Sequence, residues 1–137
     1  RIVGYAIGRR MKASLAVRAL KNALEQRGYP EGVIVHSDRG GQFRSRSFQQ
    51  TLTRYNLRGS MGRVGACGDN AAMESFFSLL QKNVLDRQPW ATREELRLAI
   101  VHWVEARYHR KRRQRRLGKL TPIEFETIMM DAVTLAA

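Results

Sequence analysis

The spacing of apolar and polar positions divides the chain into a β-rich start, a stretch of alternating strand and helix, and a helical end. Residues 1–8, RIVGYAIG, are short, rich in β-formers and bounded by glycine, which predicts a strand. Ala13, Ala16, Val17, Leu20 and Leu24 then recur at helical spacing, predicting a helix over residues 11–27 that stops at Gly28. Tyr29-Pro30-Glu31-Gly32 turns the chain into Val33-Ile34-Val35-His36, a second strand ending at Asp38. Arg39-Gly40-Gly41 reads as a loop. Phe48, Leu52 and Tyr55 mark a short helix, and residues 57–61 a further strand. Strand, helix, strand, helix, strand in that order favours an α/β architecture.

Residues 62–70 hold three glycines and read as a loop. Asp69 or Asn70 caps the next helix, whose apolar stripe is Met73, Phe76, Phe77, Leu80 and Val84, with Glu74 on the border of that face. Residues 86–91, with Pro89, interrupt it. Thr92 and Glu95 have capping-box spacing and open a helix with a core face of Leu96, Ile100, Trp103 and Val104. Thr121-Pro122-Ile123-Glu124 is another start, with proline at the first helical position, and leads into a helix using Phe125, Ile128, Met129 and Val133. The expected organisation is a core over residues 1–88 and a helical extension over residues 89–137.

With 137 residues, 43% of them apolar, the chain can bury a core and is not a disordered polymer. Its formal charge of +13 calls for a polyanionic partner. No apolar run approaches the length of a bilayer span and no signal peptide is visible, so nucleic acid ranks ahead of membrane. A lone cysteine, Cys67, excludes an internal disulfide framework and suits a reducing cytoplasm. The positive charge concentrates in residues 107–119, with eight Lys or Arg in thirteen positions and no acid. Such a run repels itself, and a phosphate backbone relieves the repulsion. Arg107, Arg110, Lys111, Arg112, Arg113, Arg115, Arg116 and Lys119 are therefore the expected DNA contacts.

The candidate chemistry rests on two carboxylates. Asp38 follows a β-branched run and precedes two glycines; Glu74 sits early in a helix, with 35 residues between the two. Meeting at one rim of a small sheet, they would offer the oxygen ligands that hard divalent cations take. Each also has a plainer reading. Aspartate before Arg-Gly-Gly is a good turn residue, because its side chain bonds backbone amides two residues on. Glutamate near a helix start is favoured by the helix dipole. His36 on a strand reads first as a plain surface or satisfied residue and only second as a metal or DNA contact, and Cys67 reads as a small filler without a base beside it.

These stretches together resemble the catalytic core of bacterial insertion-sequence transposases of the IS3 family, within the retroviral-integrase superfamily. The family pattern HSDxGxQ(Y/F) is matched by His36, Ser37, Asp38, Gly40, Gln42 and Phe43; DNAxxESFF is matched by Asp69, Asn70, Ala71, Glu74, Ser75, Phe76 and Phe77. The interval between the acids is the family's, and Tyr108, Leu117-Gly118 and Thr121-Pro122-Ile123-Glu124-Phe125 also fit. The resemblance implies a ribonuclease-H-like α/β fold, here without its first strand, which carries the family's first aspartate, and with a C-terminal helical extension. It implies metal-dependent cleavage and strand transfer on DNA, impaired in an N-terminally truncated chain. Asp38 and Glu74 become metal ligands for Mg²⁺ or Mn²⁺ in a two-ion site, with His36, Gly40, Gln42 and Asn70 in support. Seven residues beyond Glu74, where the family carries a basic residue, stands Gln81; the cation Lys82 is next, turned by about 100°. Lys82 joins the expected DNA contacts. The family's Tyr-Asn and later His-Ser are replaced by Tyr108-His109 and Gln114-Arg115. Insertion-sequence ends, target DNA and further copies of the chain are the implied partners, in the bacterial cytoplasm at the nucleoid. Two other readings stay open: a non-catalytic nucleic-acid-binding module, and a decayed transposase remnant.

Overall fold

The computed structural model describes residues 1–62 and 71–135, with side chains through residue 132. The chain divides into two compact units, one of residues 3–76 and one of residues 1–2 with 77–137.

In the first unit α1 (Ala13–Gln26) lies inside the predicted span. Its end is the predicted glycine stop: Gly28 has φ +66°, and the Tyr29 N–H reaches back to the Leu24 carbonyl at 2.9 Å. β1 (Ile34–Ser37) leads through α2 (Gly41–Arg44) and α3 (Arg46–Arg54) to β2 (Arg58–Met61). Ser45 caps α3, its Oγ accepting from the Phe48 N–H at 3.3 Å. β1 and β2 pair in parallel, with Ile34 opposite Arg58 and His36 opposite Ser60. Parallel pairing needs a crossover, which α2 and α3 supply. The core is Leu24 of α1, Phe48 and Leu52 of α3, and Leu57 before β2, with Val17, Leu20, Val35 and Phe43 packed around it. Gly59 lies against this core; a Cβ there would stand 3.1 Å from Leu52.

Residues 1–8 correct the sequence expectation. They form no strand, because a strand exists by its ladder and no described strand pairs with them. Residues 3–8 lie instead along α1. A Cβ on Gly4 would meet the Ala19 carbonyl at 2.6 Å, the Asn22 amide donates to the Tyr5 carbonyl at 2.9 Å, and Gly8 faces Leu15. Bare backbone at Gly4 is what allows so close an approach to the helix.

α4 (Ala71–Asn83) begins in the first unit and continues into the second. Its predicted stripe is only partly buried: Leu80 and Val84 are core, whereas Met73 and Phe77 are more than half exposed. A 3₁₀ turn at Leu85–Arg87 breaks the chain where expected. α5 (Arg93–His102) starts at the predicted box, with the Glu95 N–H bonding Thr92 Oγ1 at 3.1 Å and Glu95 Oε2 accepting from the Ala91 N–H. It runs into a π-helical turn, Trp103–Tyr108, that contains the buried Val104. α6 (Pro122–Leu135) opens with a reciprocal box: the Thr121 N–H donates to Glu124 Oε2 at 2.8 Å, and Thr121 Oγ1 accepts from the Glu124 N–H at 3.2 Å. The Thr121 N–H holds the Glu124 carboxyl below the usual carboxylate range. Ile128 and Met129, expected in the core, are about half exposed.

Candidate functional site

β1 ends at Ser37, so Asp38 stands just past the carboxyl end of a parallel strand, where open α/β sheets place their ligands. The side chain is exposed and held. Its Oδ1 accepts from the Gly40 N–H at 2.8 Å, and the Ser37 hydroxyl donates to the Asp38 carbonyl at 3.0 Å. This is the turn geometry foreseen for aspartate before Arg-Gly-Gly, and it fixes the carboxylate without burying it. Gly40 leaves room for it: a Cβ would fall 2.8 Å from Asp38 Oδ1 and 2.7 Å from Gln42 Nε2, so those side-chain ends would have to shift. The loop is anchored on both sides. The Arg39 Nε–H donates to the Gly62 carbonyl at 3.0 Å, and Phe43 packs edge-on against Phe48 with ring centroids 5.3 Å apart.

His36 is exposed on the sheet, its Nδ1 3.1 Å from the Ser60 hydroxyl of the paired strand. It thus ties β1 to β2. Glu74 lies in the first turn of α4 with its side chain exposed, in the same unit as Asp38. The expected cap, Asp69 or Asn70, and Cys67 lie outside the described residues. Among the described residues, no three or more His, Cys, Asp or Glu side chains group closely enough to hold a metal ion. Asp38 and Glu74 nonetheless have the donor chemistry for Mg²⁺ or Mn²⁺, being accessible carboxylates, one of them pre-oriented.

The basic segment has more order than its composition suggests. Gln114 and Leu120 bridge, closing a loop whose tip is the 3₁₀ turn Arg115–Leu117 followed by Gly118 at φ +66° and Lys119 at φ +64°. Arg115, Arg116 and Lys119 are thereby displayed together, all exposed. Arg107, Arg110, Lys111 and Arg112 are exposed ahead of the loop. Arg113 has a structural share, donating to the Lys119 carbonyl at 3.1 Å and pairing with Glu124 at 3.4 Å. Lys82 is exposed in the last turn of α4, while Gln81 beside it donates to Asp86.

His109 escaped the sequence reading. It is 1% exposed, with Nδ1 3.1 Å from Glu105 Oε2 and Nε2 accepting from the Ile2 N–H at 3.2 Å. An acceptor Nε2 leaves the proton on Nδ1, so the ring is neutral and donates to the Glu105 carboxylate. Burial pushes its pKa below the ordinary value; the bond and charge of Glu105 oppose that, and Arg1 adds to it. The available signal was acid and histidine four apart on one helical face.

A family profile described as Integrase core domain matches residues 1–67, and a second of the same description matches residues 55–122. A chain in the cryoEM structure of the simian T-cell lymphotropic virus intasome in complex with PP2A regulatory subunit B56 gamma has the same fold. It gives a TM-score of 0.54 at 20% identity over 78% of this chain and 37% of that one. The fold is the ribonuclease-H-like integrase core. Transposase InsF for insertion sequence IS3A of Escherichia coli K12 is 43% identical over 125 residues, 91% of this chain and 43% of the relative. The insertion element IS600 uncharacterized 31 kDa protein of Shigella sonnei is 40% identical over 124 residues, 90% of this chain and 46% of the relative. The chain belongs to the IS3 family of insertion-sequence transposases, and it spans less than half the length of these relatives.

Proposed function

We propose that this chain is the portion of an insertion-sequence transposase that contributes Asp38 and Glu74 to a divalent-metal centre, for phosphodiester cleavage and strand transfer at the element's ends. The observation that carries the reading is the Asp38 loop. Its carboxylate stands exposed past a strand end, oriented by the Gly40 N–H, in a chain 43% identical to a transposase. Mg²⁺ or Mn²⁺, as a pair of ions, would supply the positive charge that stabilises an in-line displacement at phosphorus. Glu74 would bring the second carboxylate from a helix, which holds it more firmly than a loop would. Gly40 leaves room for the Asp38 carboxylate, Gln42 flanks it, and His36 braces the sheet beneath through Ser60. Asn70 completes the proposed support. In the first step a water oxygen would bond to phosphorus as the P–O3′ bond breaks; in the second the freed 3′-hydroxyl oxygen would bond to a target phosphorus as that phosphodiester's own P–O3′ bond breaks, the target's 3′-oxygen leaving with a proton.

Arg107, Arg110, Lys111, Arg112, Arg113, Arg115, Arg116, Lys119 and Lys82 would meet the DNA backbone. Donor and target DNA are then the partners, a multimer of the complete transposase the working form, and the bacterial cytoplasm the setting. Among the described residues no helix is long and apolar enough to cross a membrane. The test is Asp38→Asn and Glu74→Gln in a full-length transposase carrying this segment. End cleavage with Mn²⁺ should fall by roughly 10²-fold or more in each, as for loss of a group acting on the reacting atoms. DNA affinity should hold or rise, because a negative charge has gone. The absence of a three-ligand cluster among the described residues favours one rival, a non-catalytic binding module. That reading predicts unchanged function in both variants.

A further inference from the structure

The topology of the first unit determines what else lies at the Asp38 end of the sheet. Tyr29 stacks on Tyr55 with ring centroids 5.7 Å apart, and the Gly32 N–H donates to the Asn56 carbonyl at 3.0 Å. Both interactions tie the far end of α1 to residues just ahead of β2. Because the strands are parallel, that is the amino end of both. α1 is about 21 Å long at 1.5 Å per residue, and it packs on α2, which follows Asp38. The start of α1 therefore falls at the carboxyl end of the strands. The irregular leading segment runs the same way, from Gly4 beside Ala19 and Ala23 to Gly8 beside Leu15. It delivers Arg9, Arg10 and Lys12 to the rim where Asp38 stands. All three are exposed, and the first acid in the chain is Glu25. Arg39 and Arg44, also exposed, follow Asp38 in sequence.

The geometry points to Arg9, Arg10 and Lys12 as a phosphate-backbone contact of their own, separate from residues 107–119, that seats DNA over the Asp38 rim. It rests on the proposed function, since it takes DNA as the substrate. The physical need is direct. Two accessible carboxylates repel an approaching phosphodiester, and cations on the same rim offset that repulsion. Guanidinium groups add paired hydrogen bonds to phosphate oxygens, so the contact also sets how the strand lies. Contacts to phosphate carry no sequence information, so the partner is duplex DNA of any sequence.

The test is the salt dependence of binding to a fluorescent random-sequence duplex, without divalent metal. Wild type is compared with the triple variant Arg9→Gln, Arg10→Gln, Lys12→Gln. A charge-matched control carries Lys21→Gln, Arg54→Gln and Arg58→Gln, exposed positions along α1 and at the opposite end. Each phosphate left without its cation lowers the slope of log affinity against log salt by about 0.9, so the rim triple should fall by roughly 2 to 3 and the control by less than about 1. Arg9→Lys with Arg10→Lys should keep the wild-type slope. Single Arg10→Gln should lower it by about 0.9, which gives a reading even if the triple folds poorly. Equal reductions in the two triples, or an unchanged slope in the rim triple or in Arg10→Gln, overturn the inference. Wild-type binding that ignores salt would instead sink the reading of the chain as DNA-acting.

Discussion

His109 is confined to one protonation state, because both ring nitrogens are committed: one to a carboxylate, the other to a backbone N–H. Adding a proton at Nε2 sets two N–H groups against each other and charges a buried ring. Its folded pKa lies below the ordinary 6.5, so its contribution to stability is full above pH 6.5 and declines as pH falls below it. The urea midpoint of the wild type should drop between about pH 7 and 5, and His109→Gln, although less stable overall, should lose that slope; parallel curves would contradict the assignment. The Glu124 effect occupies a different window, because its carboxyl is held below 4.5 and its share disappears only in more acid solution. A second prediction concerns Gly40. Gly40→Ala places a methyl 2.8 Å from Asp38 Oδ1, so Mn²⁺ affinity should fall several-fold while the circular-dichroism spectrum stays native. At this scale the sequence was half legible. Asp38 declared both its turn and its chemistry through its neighbours, and the turn is what the structure shows. For His109 the four-residue spacing from Glu105 was visible but its burial was not, because its further partners, Ile2 and Ile123, are remote in sequence.

Elements were most legible where local chemistry builds them. The boxes at Thr92 and Thr121 and the glycine stop at Gly28 each satisfy helix-end groups within a few residues of sequence. Thr92→Ala and Thr121→Ala should each cost about 1 kcal/mol, read as a lower urea midpoint at constant slope. Leu52→Ala, in the core between α3 and the sheet, should cost more, roughly 2–5 kcal/mol. Elements whose existence depends on a partner were misread. Residues 1–8 have strand composition, yet a ladder needs a neighbour, and along α1 they meet a helix instead. Periodicity identified which residues share a face on α4 and α6 but not whether that face is covered, so Met73, Phe77, Ile128 and Met129 emerged exposed. The π turn at Trp103–Tyr108 has no sequence pattern of its own.

For the whole molecule, the family and the α/β class were readable because two motifs at a set interval are far more specific than any single residue. Where the chain divides into its two units depends on tertiary packing rather than on local pattern. The net charge of +13 sets the expectation for association: duplex binding that weakens steeply as salt rises. The central claim is that Asp38 and Glu74 share one divalent-metal centre. Mn²⁺ titration followed by electron paramagnetic resonance, on the wild type, Asp38→Asn, Glu74→Gln and the double variant, tests it directly. A shared centre predicts that either single substitution abolishes the specific bound signal and that the double variant adds nothing further. Two independent partial losses that sum in the double variant, or bound Mn²⁺ unchanged in either single variant, would contradict it.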